Sequence, residues 1–354
     1  MKNLFKKLND PSHLFIIAEA GSNWKRGTIK QDISQAKKLI KTAALCGADA
    51  IKFQTYDSSV YVENAGTSNY LSKKGLKKNI NDLFDEFSMS YSMLPKLKQL
   101  CLEYNIEFMS TPFSVNDVNA IDKFVNIHKL ASYEINHIPM LHALAKTKKP
   151  IIISTGASTY EEIDFAIKTI KKLHNNKICL LQCTSKYPAK LESLNLSVIP
   201  TLKNKYKLPV GFSDHSLDPV IAPLTALGLG ATIIEKHFTL NKTFDGPDHY
   251  FSLDPTQLKT MITSLRNSKL SIGNPVKYIH DDEKELRNFA HRSIQAIKFI
   301  NPGDNFILGE NIDILRSGNR KRGLDPRFLQ KILNKKSNKR INTGDGIFLK
   351  DISR

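Results

Sequence analysis

Eight short apolar runs constrain this chain more than any other feature. They read "LFIIAEAG", "ADAIKFQTY", "IEFMSTPF", "VNIHKLAS", "PIIISTG", "KICLLQCTS", "LPVGFSD" and "ATIIEKHFT". Runs of this length and apolarity suit strands of a parallel sheet that is covered on both faces. Between most of them lie segments of helical period, such as "DISQAKKLIKTAALCG", "MLPKLKQLCLEYN", "YEEIDFAIKTIKKLH" and "DPVIAPLTALGLG". Strand–helix alternation of this kind implies parallel β-structure. Eight units in about 240 residues fit a closed (β/α)8 barrel, a TIM barrel, better than an open doubly wound sheet.

Each run ends in polar chemistry. In order, the ends carry Glu19; Lys52 and Gln54; Ser110 and Thr111; Lys129, Ser132 and Glu134; Ser154; Thr184 and Ser185; Ser213, Asp214 and His215; and Glu235 and His237. One such end merely begins a loop. Eight together mark the barrel mouth, where catalytic groups collect at the C-terminal ends of the strands.

His215 and His237 close the neighbouring seventh and eighth runs, about 4.8 Å apart if paired. At equal height they either share one divalent metal, leaving positions open for water and substrate, or are two ordinary hydrogen-bonded histidines. Lys52, Thr111, Lys129, Ser132, Ser154 and Ser213 form an inventory for holding an anion, because an inward lysine is costly without a counter-charge. Glu19 and Glu134 are candidates for acid–base work or partners for those lysines. Trp24, the only tryptophan, lies in the first loop and either lines a sugar site or packs.

The grammar changes after about residue 270. We read residues 1–275 as the catalytic barrel, 276–292 as a linker with a short helix, and 293–354 as a small domain of short β-like pieces: "SIQAIKFINPGDNF", "NIDILRSGN" and "DGIFLKDI".

A formal net charge of +18 on 354 residues is compatible with a nucleic-acid partner. The lysines are scattered among Asn and Ile, however, as in "KKLHNNK" and "KKILNKKSNKR". They read as solvated surface and anion attraction, with no nucleic-acid partner expected. There is no apolar run of about 18 residues, so no membrane span is expected. The charged N-terminus lacks the apolar segment of a cleavable signal. Cys46, Cys101, Cys179 and Cys183 contain no C-x-x-C pair and read as reduced core thiols, so a cytoplasmic location is expected.

Taken in order, "FIIAEAGSN", "IKFQT", "STPF", "KLAS" with Glu134, "PIIISTG", "LLQCTSKYP", "PVGFSDHS", "IIEKHFTL", "GPDH" and a late "RSG" and "GLDP" resemble the sialic acid synthase family across nearly the whole chain. These are the phosphoenolpyruvate-dependent synthases of nonulosonic acids. The resemblance implies a (β/α)8 barrel followed by an antifreeze-like (SAF) domain, and condensation of phosphoenolpyruvate with an N-acylated aminosugar to release phosphate. The sugar would be N-acetylmannosamine or a related 2,4-diamino-trideoxyhexose. Legionaminic or pseudaminic acid synthesis, or a metal-dependent barrel hydrolase, are the alternatives.

By the same resemblance His215 and His237 would hold Mn²⁺, or else Mg²⁺ or Co²⁺. Phosphoenolpyruvate would meet Lys52, Thr111, Lys129, Ser132, Ser154, Ser185 and Ser213. The sugar would meet Gln54, Tyr187, Asp248 and, from the partner of a domain-swapped homodimer, Arg316. Glu134 would be the base, with Glu19 as alternate. Three stretches depart from the family's usual pattern: Asn23-Trp24-Lys25-Arg26 in the first loop, Tyr133 where glycine is common, and Ser317 where proline is common.

Overall fold

A computed structural model describes residues 4–67 and 78–353. The eight runs become parallel strands: β1 (Phe15–Gly21), β2 (Ala50–Thr55), β3 (Glu107–Pro112), β4 (His128–Leu130), β5 (Ile151–Ser154), β6 (Ile178–Cys183), β7 (Val210–Asp214) and β8 (Ile233–His237). Their order is β3-β2-β1-β8-β7-β6-β5-β4. The described residues form no ladder between β3 and β4, but the two lie side by side, so the ring is a nearly closed barrel.

Alternation along the strands sorts the side chains. One phase turns inward and packs as layers: Phe15 and Ile17, Ala50, Met109, Ile127, Ile152, Cys179 and Leu181, and Ile233. Leu8 of the N-terminal helix Leu4–Asn9 belongs to the same cluster, with Leu4 and Phe5 against it. The other phase, including Ile16, Ala18, Ile51, Phe53 and Phe108, packs against the surrounding helices. Gly211 on β7 shows how tight the ring is. A Cβ there would stand 2.3 Å from the Ile233 carbonyl oxygen, so only glycine fits.

Because the inward phase is apolar at the bottom, its continuation upward carries Glu19, Lys52, Lys129, Ser154, Ser213 and Glu235 into the mouth. The helices are placed by local signals. Helix Ile29–Cys46 starts at a Thr28/Gln31 capping box and stops at left-handed Gly47. Helix Tyr160–Lys172 starts at Thr159/Glu162 in the same way. The β2–β3 connection also holds a short helix, Ile80–Glu86, capped by Asn79, that its sequence pattern did not announce.

The chain divides into two compact units, Met1–Gly273 and Asn274–Arg354. The second contains helix Asp281–Ala290 and a two-stranded antiparallel pair, β9 (Arg292–Ala296) and β10 (Ile312–Arg316). Its own core gathers Ile294, Ile300, Phe306, Ile312, Ile332 and Ile347. The stretch "DGIFLKDI" makes isolated bridges and a 3-10 turn at Leu349–Asp351 rather than a strand. No helix among the described residues is long and apolar enough to cross a membrane.

Candidate active site

The barrel mouth encloses a cavity of about 740 Å³. Every barrel residue put forward from the sequence as catalytic, substrate-binding or metal-binding lines it. Arg316 is an exposed residue of β10 in the small unit.

The floor is a network of opposite charges. The Lys52 ammonium lies 2.6 Å from Glu19 Oε2 and donates to Thr111 Oγ1 at 2.9 Å. Lys129 Nζ donates to Ser154 Oγ at 2.7 Å and to the Leu130 carbonyl at 3.1 Å. Between them stands Glu235, 3.8 Å from Lys52 and 3.9 Å from Lys129, its Oε1 accepting from Ser213 Oγ at 3.0 Å.

Burial and the Glu235 charge push the Glu19 carboxyl up to about 7, against the pull of Lys52. Burial also raises Glu235, but Lys129 and Lys52 outweigh it and hold Glu235 below the usual range. Burial works against the Lys52 ammonium, which Glu19 and Glu235 nonetheless hold above its ordinary value, while burial draws Lys129 down. Glu19 is thus a partner of Lys52, the structural role left open for it by the sequence.

Glu134 is different. It sits in the short turn Ser132–Glu134 after β4, and burial alone pushes its carboxyl up to about 7. Beside it, Ser132 Oγ accepts from Gly156 N at 3.0 Å. A Cβ on Gly156 would stand 2.3 Å from Ser185 Oγ, so that glycine lets the two serines converge.

The histidines face each other with ring centroids 5.7 Å apart. Asp214 and Lys236 are partners across β7 and β8, so His215 and His237, one residue on, stand at equal height. His215 Nδ1 lies 2.8 Å from the Thr184 carbonyl and therefore carries a proton, which leaves Nε2 open. Burial opposes charge on His215, while Cys183 Sγ at 3.8 Å and the Thr184 carbonyl raise its pKa above the ordinary value. It is the neutral ring, with its proton on Nδ1, that leaves Nε2 free as a ligand donor.

His237 is held well below its usual range by burial and by its cationic neighbours, and its buried Nδ1 has no hydrogen-bond partner. A neutral imidazole with an unsatisfied nitrogen opposite an open Nε2 is a donor set that fits a divalent ion. No cluster of three or more His, Cys, Asp or Glu suited to a metal occurs among the described residues, so such an ion would complete its shell with water and substrate oxygens.

Tyr187 lies against His215, centroids 4.1 Å apart, and Asp248 accepts from Ser22 N and Oγ at 3.1 and 2.8 Å. Tyr133 also lines the cavity, its hydroxyl donating to the Ser185 carbonyl at 3.4 Å.

Of the two readings left open for Trp24 the structure favours packing: it lines no part of the cavity, is 1% exposed and packs in the core between barrel and helices. Other expectations need correction. Ser110, Thr184 and Asp214 also turn away from the cavity. Ser110 pairs with Thr55 Oγ1 at 2.7 Å, Thr184 donates to the Ser193 carbonyl, and Asp214 binds Lys236. Cys183 is more than a core thiol, because it lines the cavity beside His215. Glu235 takes a place in the floor that was not assigned to it, although its spacing two before His237 already put it on the same face. An apolar wall from the β2–β3 connection, including Tyr61, Leu83 and Phe84, was not foreseen; it carries no strand-end signal.

The model of the NeuB family matches residues 39–277. The chain belongs to the NeuB family. Among similar proteins, a pseudaminic acid synthase of Campylobacter jejuni is 37% identical, over 96% of each chain. An N,N'-diacetyllegionaminic acid synthase of Legionella pneumophila is 35% identical, over 93% of this chain and 92% of that one. The crystal structure of an N-acetylneuraminic acid (sialic acid) synthetase from Leptospira borgpetersenii superposes with a TM-score of 0.67 at 34% identity, covering 79% of this chain and 92% of that one. Membership of the NeuB family, as expected from the motifs, makes this chain a synthase of the nonulosonic acid type.

Proposed function

We propose that the barrel condenses phosphoenolpyruvate with an N-acyl aminosugar to give a nonulosonic acid and inorganic phosphate. The observation that carries this reading is the convergence, in one cavity, of two buried lysines, a row of hydroxyls, a pair of open imidazoles and a carboxyl raised to about 7. Lys52 and Lys129 with Thr111, Ser132, Ser154, Ser185 and Ser213 hold the phosphate and carboxylate of phosphoenolpyruvate. Both ammoniums stand too far from Glu235 for a hydrogen bond, so each keeps a donor for the incoming anion.

His215 and His237 would hold a divalent ion, Mn²⁺ by preference, that polarises the aldehyde oxygen of the open-chain sugar as a Lewis acid. Gln54, Tyr187 and Asp248 orient that sugar so that its carbonyl carbon faces the enol carbon, which lowers the entropic cost of their meeting. The new carbon–carbon bond leaves a cationic centre at the former C2. Glu134, as carboxylate, takes a proton from the water that adds there. The C2–O bond then breaks as the new C2 hydroxyl becomes a ketone and its proton leaves with the phosphate, which keeps the bridging oxygen. Glu134 returns the proton it took from water to the oxygen of the former aldehyde.

The wall of Tyr61, Leu83 and Phe84 favours a sugar with apolar substituents. A trideoxyhexose with a methyl group and two N-acyl groups, the type that legionaminic and pseudaminic acids require, suits it better than the more hydroxylated N-acetylmannosamine. Two of the relatives are named for such products, while the Leptospira borgpetersenii synthetase is named for N-acetylneuraminic acid. By the family resemblance, residues 293–354 would be an antifreeze-like domain and the protein a cytoplasmic, domain-swapped homodimer in which Arg316 reaches the partner's sugar site.

The test is phosphate release from phosphoenolpyruvate and Mn²⁺ across a panel of aminosugars, using phosphoenolpyruvate labelled at the bridging oxygen. The expected result is release only when an aminosugar is present, with the label in phosphate. Release without a sugar would replace this reading with a hydrolase; label in the sugar acid would mean that the phosphorus–oxygen bond breaks and would overturn the C2–O cleavage.

A further inference from the structure

The period of two that turns Ser213, His215, Glu235 and His237 into the cavity turns Asp214 and Lys236 to the opposite face. Lys236 is only 1% exposed there. Its ammonium meets four oxygens: Asp214 Oδ2 at 2.5 Å, the Ser216 carbonyl at 2.5 Å, Ser216 Oγ at 3.2 Å and the Asp218 carbonyl at 3.2 Å. Asp214 Oδ1 in turn accepts from Ser216 N at 2.7 Å. The chain on both sides of His215 is therefore tied to the side chain that precedes His237.

The position of this tie is informative. The β7–β8 ladder runs Phe212 to Ile234, Ser213 to Glu235 and Asp214 to Lys236, and stops. His215 is the first residue beyond it, so sheet hydrogen bonds no longer set its distance from β8. Lys236 takes over at that point. A buried ion pair is a poor way to gain stability, since apolar side chains of similar volume often serve as well or better. It is a good way to hold two backbone segments in one arrangement, because its partners and geometry are specific.

We propose that Lys236 and Asp214 are positioning residues: they fix the separation and tilt of the His215 and His237 rings and so set the affinity for a divalent cation between them. The inference rests on the reading that these two histidines hold such an ion. Partners that orient metal ligands typically matter about 10- to 100-fold in metal affinity when removed.

The experiment is a Mn²⁺ titration of the metal-free full chain, with free Mn²⁺ read by electron paramagnetic resonance. It compares the parent with Lys236→Met/Asp214→Asn, which removes both charges together, and with Asp214→Asn alone, which keeps the volume and the bond from Ser216 N. Thermal melting identifies the folded variants, and phosphoenolpyruvate affinity is measured without metal. The expected result is Mn²⁺ binding weakened about 10- to 100-fold in the double variant, and in the same direction in Asp214→Asn, with phosphoenolpyruvate affinity within about twofold of the parent.

If the double variant does not fold, Asp214→Asn decides. Folded variants that bind Mn²⁺ like the parent overturn the inference and leave the two-histidine site standing. A parallel loss of phosphoenolpyruvate affinity also overturns it, because the effect is then a general loosening of the mouth. A parent that binds no Mn²⁺ overturns the two-histidine site itself and the inference with it.

Discussion

Lys52 and Glu19 sit side by side on β2 and β1, Cα partners in the ladder, with ammonium and carboxylate 2.6 Å apart and both side chains almost wholly buried. Glu235 reaches toward the same ammonium from β8, so one cation serves two carboxylates. Lys52→Met therefore leaves two acids buried with one fewer counter-charge. It should lower unfolding free energy by about 3–5 kcal/mol in urea titrations and abolish phosphoenolpyruvate binding. Lys52→Met/Glu19→Gln should recover part of the stability and none of the binding. Phosphoenolpyruvate affinity unchanged by the first substitution would remove Lys52 from the anion cradle.

Glu134 gives the pH dependence. Its carboxyl is pushed up to about 7 by burial, and as a base it must be ionised to act. The acid limb of kcat/KM should accordingly fall about tenfold per pH unit below pH 7 and level off above it. Glu134→Gln should cost about 10²- to 10⁴-fold in kcat and lose that limb, while phosphoenolpyruvate affinity is retained. If the limb survives in the variant, the base is another group.

The imidazole pair predicts a metal requirement. Chelation should abolish turnover reversibly, with Mn²⁺ restoring it. His215→Ala and His237→Ala should each remove both Mn²⁺ binding and activity without changing the melting transition by more than a few degrees. Full activity of either variant after chelation would contradict the assignment.

Gly211 tests the packing of the ring itself. An added Cβ would meet the Ile233 carbonyl at 2.3 Å and Ile233 Cβ at 2.6 Å, both in the barrel wall. Gly211→Ala should destabilise the protein by about 1–3 kcal/mol, measured by denaturant unfolding. A neutral result would mean that β7 and β8 can separate without penalty.

Much of the site was legible because a strand has a period of two. Once Phe15, Ile17 and Glu19 are placed on one face, the position of Glu19 above a packed layer follows, and the same holds for Lys52, Ser213 and His237. Where the chain leaves the strand, that rule lapses. Trp24 lies in a loop, and its choice between core and cavity depended on what surrounds it. Tyr61, Leu83 and Phe84 come from a long connection whose fold is set by tertiary packing, and no periodicity marks them as cavity wall.

The sequence by itself determined the parallel barrel, the inward phase of each strand and most of the ionisable groups at the mouth. Those follow from short-range rules of alternation, helix capping and the cost of burying charge. Only the tertiary structure decided how the charges pair: Lys52 with Glu19, Lys236 with Asp214, and Glu134 with no cation among the described residues. Pairing depends on distances of a few ångströms between strands far apart in the chain, and burial then turns those distances into protonation states.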